Sequence, residues 1–158
     1  MTPAVSALKR AGISFELLSY THDPAAVSYG LEAAEALGLA PEQVFKTLVA
    51  QLDDGRLAVG IVPVTASLDL KALAAALGAR KAVMAELLQA ERATGYVVGG
   101  ISPLGQRKRL SMVLDRSADA WPVIYVSGGR RGLELALAPT DLQRLSGARI
   151  GAIARAAK

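Results

Sequence analysis

The chain of 158 residues has no cysteine, one histidine, one tryptophan and two phenylalanines. Without cysteine there is no disulfide, no thiolate nucleophile and no thiolate-held iron–sulfur site, and a single histidine leaves too few ligands for the usual zinc centres, so neither metal nor cofactor is expected. Aromatic residues make up only 4% of the chain while 52% is apolar, so the core must be built from Ala, Val, Leu and Ile. No apolar run approaches the roughly 20 residues of a membrane span. Met1 to Arg10 lacks the charged start and long apolar middle of a signal peptide, so a cytoplasmic location with no membrane partner is expected. Acidic residues are the scarcer sign, 14 against 18 Lys plus Arg, and the net charge of +4 admits an anionic partner without specifying one.

What is present reads as one domain over residues 1–158, mixed α+β, with strands and short helices interspersed and no regular strand–helix–strand repeat. Pro3 to Lys9 gives a short amphipathic helix with Gly12 beyond its end, and Ile13 to Tyr20 alternates like a strand. His22, in the turn Thr21 to Pro24, has no second catalytic-looking group beside it and reads as a surface turn residue. Leu31, Ala34 and Leu37 share a helical face closed by Gly38. Val44 to Leu52 and Leu57 to Val62 form a hairpin across Asp54-Gly55, near the centre of the sheet. Leu70, Leu73 and Leu77 line a helix ended by Gly78, Lys81 to Met84 is a brief strand, and Leu87 and Leu88 begin another helix. Leu110 to Leu114 and Pro122 to Val126 read as strands on either side of a polar turn. The alternating strand Leu133 to Ala138 and a helix entered through Pro139 follow. The expected sheet is mostly antiparallel and closed or strongly curved.

Three features stand out from this scaffold. Gly95 to Leu110 joins a short apolar run, Tyr96 to Val98, to the Gly99-Gly100 pair, to Pro103 and to the basic run Arg107, Lys108 and Arg109. Such a loop exposes backbone N–H groups that can hold an anion or a carbonyl oxygen, and it is equally the form of a tight turn leading into a solvated basic strand. Lys46 shares its strand face with Val44, Leu48, Ala50 and Leu52, where an ammonium must either snorkel to water or meet an anion. Ser127-Gly128-Gly129-Arg130-Arg131-Gly132 is a second glycine turn carrying cations.

Val44-Phe45-Lys46-Thr47-Leu48-Val49, Leu68-Asp69-Leu70-Lys71, Gly95 to Gly105 and Ile124 to Gly129 together resemble, in order and across the chain, the YbaK family of aminoacyl-tRNA deacylases. That family is related to the editing domain of bacterial prolyl-tRNA synthetase. The opening Met-Thr-Pro-Ala-Val and Thr21-His22-Asp23-Pro24 look like its Cys-tRNA(Pro) deacylase branch. The resemblance implies a barrel-like mixed sheet flanked by helices, and a free-standing factor that cleaves a wrong amino acid from tRNA(Pro), with tRNA and prolyl-tRNA synthetase as partners. By the same resemblance Lys46 matches the essential lysine, and Gly99, Gly100, Ile101, Ser102 and Pro103 match the family's Gly-x-x-x-Pro loop. Tyr20, Thr47, Ser127 and Gly129 match pocket positions, and Tyr29 stands where an aromatic residue is expected.

Cysteine and proline are close in size, and a difference of about one methylene yields only roughly 1–3 kcal/mol of discrimination, so a synthetase needs a second sieve. This chain offers no cysteine and no credible Ser–His pair as nucleophile. In the mechanism implied by the resemblance, the cysteinyl thiol attacks its own ester and leaves as a thiolactone. The protein then positions and stabilises charge. Backbone N–H groups of Gly99 to Ser102 are expected to orient the carbonyl oxygen and Lys46 to hold the terminal adenosine's phosphate or ribose. Arg107, Lys108, Arg109, Arg130 and Arg131 are candidate acceptor-stem contacts. Two other readings stay open: the same fold acting on Ala- or Ser-charged tRNA, and a non-catalytic module that binds tRNA or a synthetase.

Overall fold

The computed structural model describes residues 1–26 and 28–156. Helix α1 (Pro3–Ala11) starts where Thr2 Oγ1 accepts the Val5 N–H at 3.3 Å and stops at Gly12, whose left-handed φ of 69° lets its N–H reach the last carbonyls. It buries Ala4, Val5 and Leu8. Strand β1 (Glu16–Ser19) is shorter than the alternation of Ile13 to Tyr20 predicts, because Ile13 and Phe15 pack on the core without a ladder partner. Helix α2 (Tyr29–Leu37) is capped by Ser28 and closed by Gly38, but it buries Ala33 and Ala34 while Leu31 is 45% exposed. The expected apolar face is therefore rotated toward its smallest residues, which permit close approach.

The hairpin of β2 (Phe45–Leu52) and β3 (Leu57–Pro63) forms as predicted, in antiparallel register from Phe45 opposite Pro63 to Gln51 opposite Leu57. After β4 (Ala66–Leu68), Asp69 caps α3 (Leu70–Ala76) by accepting the Ala72 N–H at 3.0 Å. Strand β5 (Ala82–Met84) and helix α4 (Leu87–Thr94) follow, then β6 (Ser111–Asp115), β7 (Ile124–Ser127), β8 (Leu133–Leu137), α5 (Pro139–Ser146), β9 (Arg149–Gly151) and β10 (Ala154–Ala156). Tyr96 to Val98 form no strand; they lie in the turn after α4.

The strands make a five-stranded sheet in the order β5-β2-β3-β6-β9, a three-stranded sheet β1-β8-β7 and a two-stranded sheet β10-β4. Among the described residues no sheet closes on itself, and a lone parallel bridge between Val44 and Tyr125 joins the two larger sheets. The strands at Leu110 to Leu114 and Pro122 to Val126 fall in different sheets, since β6 runs parallel to β3 and β9 while β7 pairs with β8. Asp115 ties the C-terminal segment down: its Oδ1 accepts the N–H groups of Ile153 and Ala154 at 2.9 and 3.0 Å.

Alternation along β2 divides the core. Phe45 and Val49 join Val59, Ile61, Leu114, Leu135 and α1 in the main cluster, whereas Ala50 and Leu52 join Ala58, Val62 and Leu73 of α3 in a second one. Strand β5 pairs only with Ala50 to Leu52. The first half of β2 thus has an open edge on that side, where alternate residues present backbone N–H and C=O groups. Among the described residues no helix is long and apolar enough to cross a membrane.

Candidate active site

A cavity of about 440 Å³ lies along this open edge. Its walls come from the first half of β2, the start of α2, the β5–α4 junction, the glycine loop and the β7–β8 hairpin. Of the residues singled out by sequence, Tyr29, Lys46, Thr47, Gly99, Ile101 and Ser127 line it.

Lys46 is half-buried there, forms no salt bridge among the described residues, and burial lowers its pKa from the ordinary lysine value. Beside it on the strand, Thr47 is buried with its Oγ1 lacking a hydrogen-bond partner. Ser127 Oγ accepts the Gly129 N–H at 3.2 Å. The same wall holds a residue that sequence reasoning missed. Glu134 is buried, its Oε2 has no partner, and burial pushes its carboxyl up to about 8. Its signal was the one that marked Lys46: a charge inside an apolar strand, here Leu-Glu-Leu-Ala-Leu.

The glycine loop is held from both sides. Glu91 Oε2 accepts the Val98 N–H at 2.9 Å, and the Val98 carbonyl accepts Arg131 Nε and Nη2 at 3.0 and 2.7 Å. Gly99 has φ 92°, open to glycine and strained for other residues. Among the four N–H groups expected to face a carbonyl, that of Gly100 is committed to the turn, donating to Val97 O at 2.9 Å. Gly100 matters instead for packing, since a Cβ there would fall 2.6 Å from the Arg130 Cα.

The remaining candidates stand outside the cavity lining. Ser102 is fully buried, and its Oγ accepts the Leu104 N–H at 3.3 Å. Its hydroxyl is therefore spent inside the loop. Pro103 lines a separate surface hollow with Ala7, Leu104 and Leu145. Gly129 gives close approach to α1 and Tyr96, because a Cβ would lie 2.8 Å from Thr2 Cβ and 2.9 Å from Tyr96 Cε1. Tyr20 donates its backbone N–H to Gly132 O at 2.9 Å; burial, then the nearby Glu134 charge, raises its phenol pKa. Arg107 lies against Gly95, and Arg109 lines a different hollow with Arg149, so neither they nor Lys108 border the cavity. Arg130 is exposed and is not among the lining residues. At the mouth Met84 and Leu87 are 48% and 55% exposed; α4 buries Ala90, Ala93 and Thr94 and leaves Leu87 and Leu88 exposed.

Comparison with known proteins gives this geometry a family. A protein of Enterococcus faecalis provisionally named Cys-tRNA(Pro)/Cys-tRNA(Cys) deacylase EbsC is 39% identical over 113 residues, covering 72% of this chain and 69% of that one. A crystal structure of a provisionally assigned trans-editing enzyme for prolyl-tRNA synthetase superposes with a TM-score of 0.80 at 25% identity, covering 97% of this chain and 95% of that one. The hypothetical protein APE2540 shares the fold at 24% identity, with a TM-score of 0.86 over 97% of this chain and 99% of its own. The model of the aminoacyl-tRNA editing domain matches residues 23–145, a span that takes in the β2 lysine, the glycine loop and the β7–β8 hairpin, and the chain belongs to that family.

Proposed function

We propose that this protein is a trans-editing deacylase of Cys-tRNA(Pro) in which the cysteinyl thiol of the substrate is the nucleophile. The observation that carries this reading is Lys46: a half-buried ammonium that forms no salt bridge among the described residues, placed in the wall of a cavity whose lining includes neither cysteine nor histidine. Glu134, directly opposite Ser127 on the β7–β8 ladder, keeps its proton up to about 8 and is mostly uncharged at neutral pH, so it leaves the hydroxyls of that wall without a strong base. Ser127 Oγ is engaged by a backbone N–H, and the chain's histidine is not among the lining residues.

The likeness to the Enterococcus protein supports cysteine as the amino acid and an aminoacyl ester as the bond cleaved. In the reaction the thiol sulfur bonds to the ester carbonyl carbon, the bond from that carbon to the ribose oxygen breaks, and the thiol proton ends on the ribose hydroxyl. The sulfur and carbonyl belong to one residue, so the protein gains rate by holding a reactive conformer and by stabilising the charge that develops on the carbonyl oxygen. Lys46 holds the phosphate or ribose of the terminal adenosine. The Gly99 N–H faces the carbonyl oxygen. Glu134 and Thr47 supply the two unpartnered polar atoms of the wall, and the substrate's α-ammonium gives both a partner. Selectivity for tRNA(Pro) comes from prolyl-tRNA synthetase acting with this protein, because one small domain does not span from acceptor end to anticodon.

The test is deacylation of Cys-, Ala- and Ser-charged tRNA(Pro) by the purified protein, with and without the synthetase. Rapid loss of cysteine alone is expected. Equal or faster loss of alanine or serine changes the substrate, and no loss from any of the three leaves only a binding module.

A further inference from the structure

We propose that Arg131 is a positioning residue, which aims and polarises the Gly99 N–H at the cavity wall rather than contacting tRNA phosphate; this rests on the deacylase reading above. Three independent contacts hold its exposed side chain. Nε and Nη2 both donate to the Val98 carbonyl, at 3.0 and 2.7 Å, and the guanidinium carbon lies 4.7 Å from the centroid of the Tyr29 ring. An arginine waiting for phosphate on a surface has no reason to be fixed at both its edge and its face.

The consequence runs through one peptide unit. The Val98 carbonyl and the Gly99 N–H belong to the same planar trans peptide and point in opposite directions, so fixing the oxygen fixes the direction of the N–H. Glu91 holds the preceding N–H of Val98 at 2.9 Å, which leaves this peptide little freedom to rotate. Among the described residues the Gly99 N–H has no acceptor, and Gly99 lines the cavity. A cation hydrogen-bonded to a carbonyl draws electron density from its amide and makes the N–H a stronger donor. Tyr29, the other face of the clamp, is itself part of the cavity wall. The clamp also accounts for glycine at 99, where a Cβ would fall 2.6 Å from Arg131 Nε and 3.1 Å from the Tyr29 ring.

The test compares Arg131→Ala and Arg131→Lys with wild-type protein, reading single-turnover deacylation, the salt dependence of tRNA binding and the Gly99 amide resonance of the free protein. Arg131→Ala is expected to lower kcat roughly 10- to 100-fold, the scale of a misdirected oxyanion donor. KM and the salt slope stay unchanged. Arg131→Lys keeps the charge but not the fork and loses most of the same rate. In both variants the Gly99 amide proton moves upfield. An unmoved Gly99 resonance overturns the proposal without reference to activity. So does an unchanged kcat with a salt slope shallower by about one, the mark of a lost phosphate contact. Wild-type protein inactive on every charged tRNA would instead remove the deacylase reading, while the Gly99 resonance still decides whether the clamp exists.

Discussion

His22 Nδ1 lies 2.8 Å from Glu32 Oε1, and the other oxygen of the same carboxylate accepts the Asp23 N–H at 2.6 Å. The chain's one imidazole therefore fastens the Thr21–Pro24 turn to α2, with its ring 5.7 Å from that of Tyr29. Burial works against the Glu32 carboxylate, but the His22 hydrogen bond and the Asp23 N–H outweigh it and lower its pKa. A carboxylate depressed in the fold contributes stability above its unfolded pKa and loses it as pH falls through the folded value. His22→Gln is expected to keep deacylation and to cost about 1 kcal/mol, as for one partly exposed charge-assisted contact. Thermal melts and turnover of the folded variant check this; complete loss of turnover would make His22 a base.

Lys46→Ala is expected to remove at least about two orders of magnitude of deacylation, the scale for deleting a charge that stabilises a transition state. The melting temperature should not fall. An ammonium whose pKa is lowered by burial, with no ion pair among the described residues to offset it, contributes nothing to the fold that alanine cannot match. Lys46→Arg should fail as well, because a planar fork does not replace a compact ammonium in a cavity of this size. Wild-type turnover by folded Lys46→Ala contradicts the role.

Local chemistry made most of this fold legible in advance: Thr2 and Gly12 bound α1, Asp54-Gly55 turns the β2–β3 hairpin, and Gly78 follows α3. Which sheet a strand joins was not legible, because β6 is assigned by parallel pairing with β3 and β9, which are distant in sequence. Periodicity also misplaced the buried face of α2, where Ala33 and Ala34 pack and Leu31 stays exposed. In the site, Lys46 stood out as a charge on an apolar strand, and Glu134 carried the same signal unread. Ser102 shows the converse limit: a hydroxyl in a motif says nothing about whether its loop turns it toward a cavity or inward to Leu104.

Glu134 makes stability fall as pH rises. Its carboxyl binds a proton up to about 8 in the fold and up to its ordinary 4.5 when unfolded, so between those values the folded state holds more protons. The contribution is complete below pH 4.5 and lost once pH passes 8, and a shift of this size corresponds to a few kcal/mol on the order-of-magnitude scale. Glu134→Gln, uncharged at every pH, is expected to flatten this slope and to be the more stable protein above pH 8. Urea denaturation of both proteins from pH 5 to 9 reads the difference. Parallel slopes would mean that Glu134 is ionised and partnered.

The identity of the nucleophile separates this site from an ordinary hydrolase. If the substrate thiol attacks, no side chain becomes acylated and the first product is cysteine thiolactone, which later opens in water to cysteine. A seryl ester on the same tRNA should react slower by several powers of ten, since a neutral hydroxyl without an adjacent base is a poor nucleophile. The competing possibility is concrete here. A carboxyl raised to about 8 in the cavity wall has the pKa of a general base for water, and Glu134 is such a group. The two routes differ in three observables. Thiol attack gives a trappable thiolactone, strong preference for cysteine over serine, and a rate that Glu134→Gln changes mainly through KM, because the carboxyl meets the α-ammonium rather than the reacting atoms. Water attack gives free amino acid at once, similar rates on both esters, and a kcat that collapses in Glu134→Gln. Single-turnover reactions quenched into a thiolactone-reactive amine decide between them, and thiolactone from the wild type with kcat preserved in Glu134→Gln is the expected result.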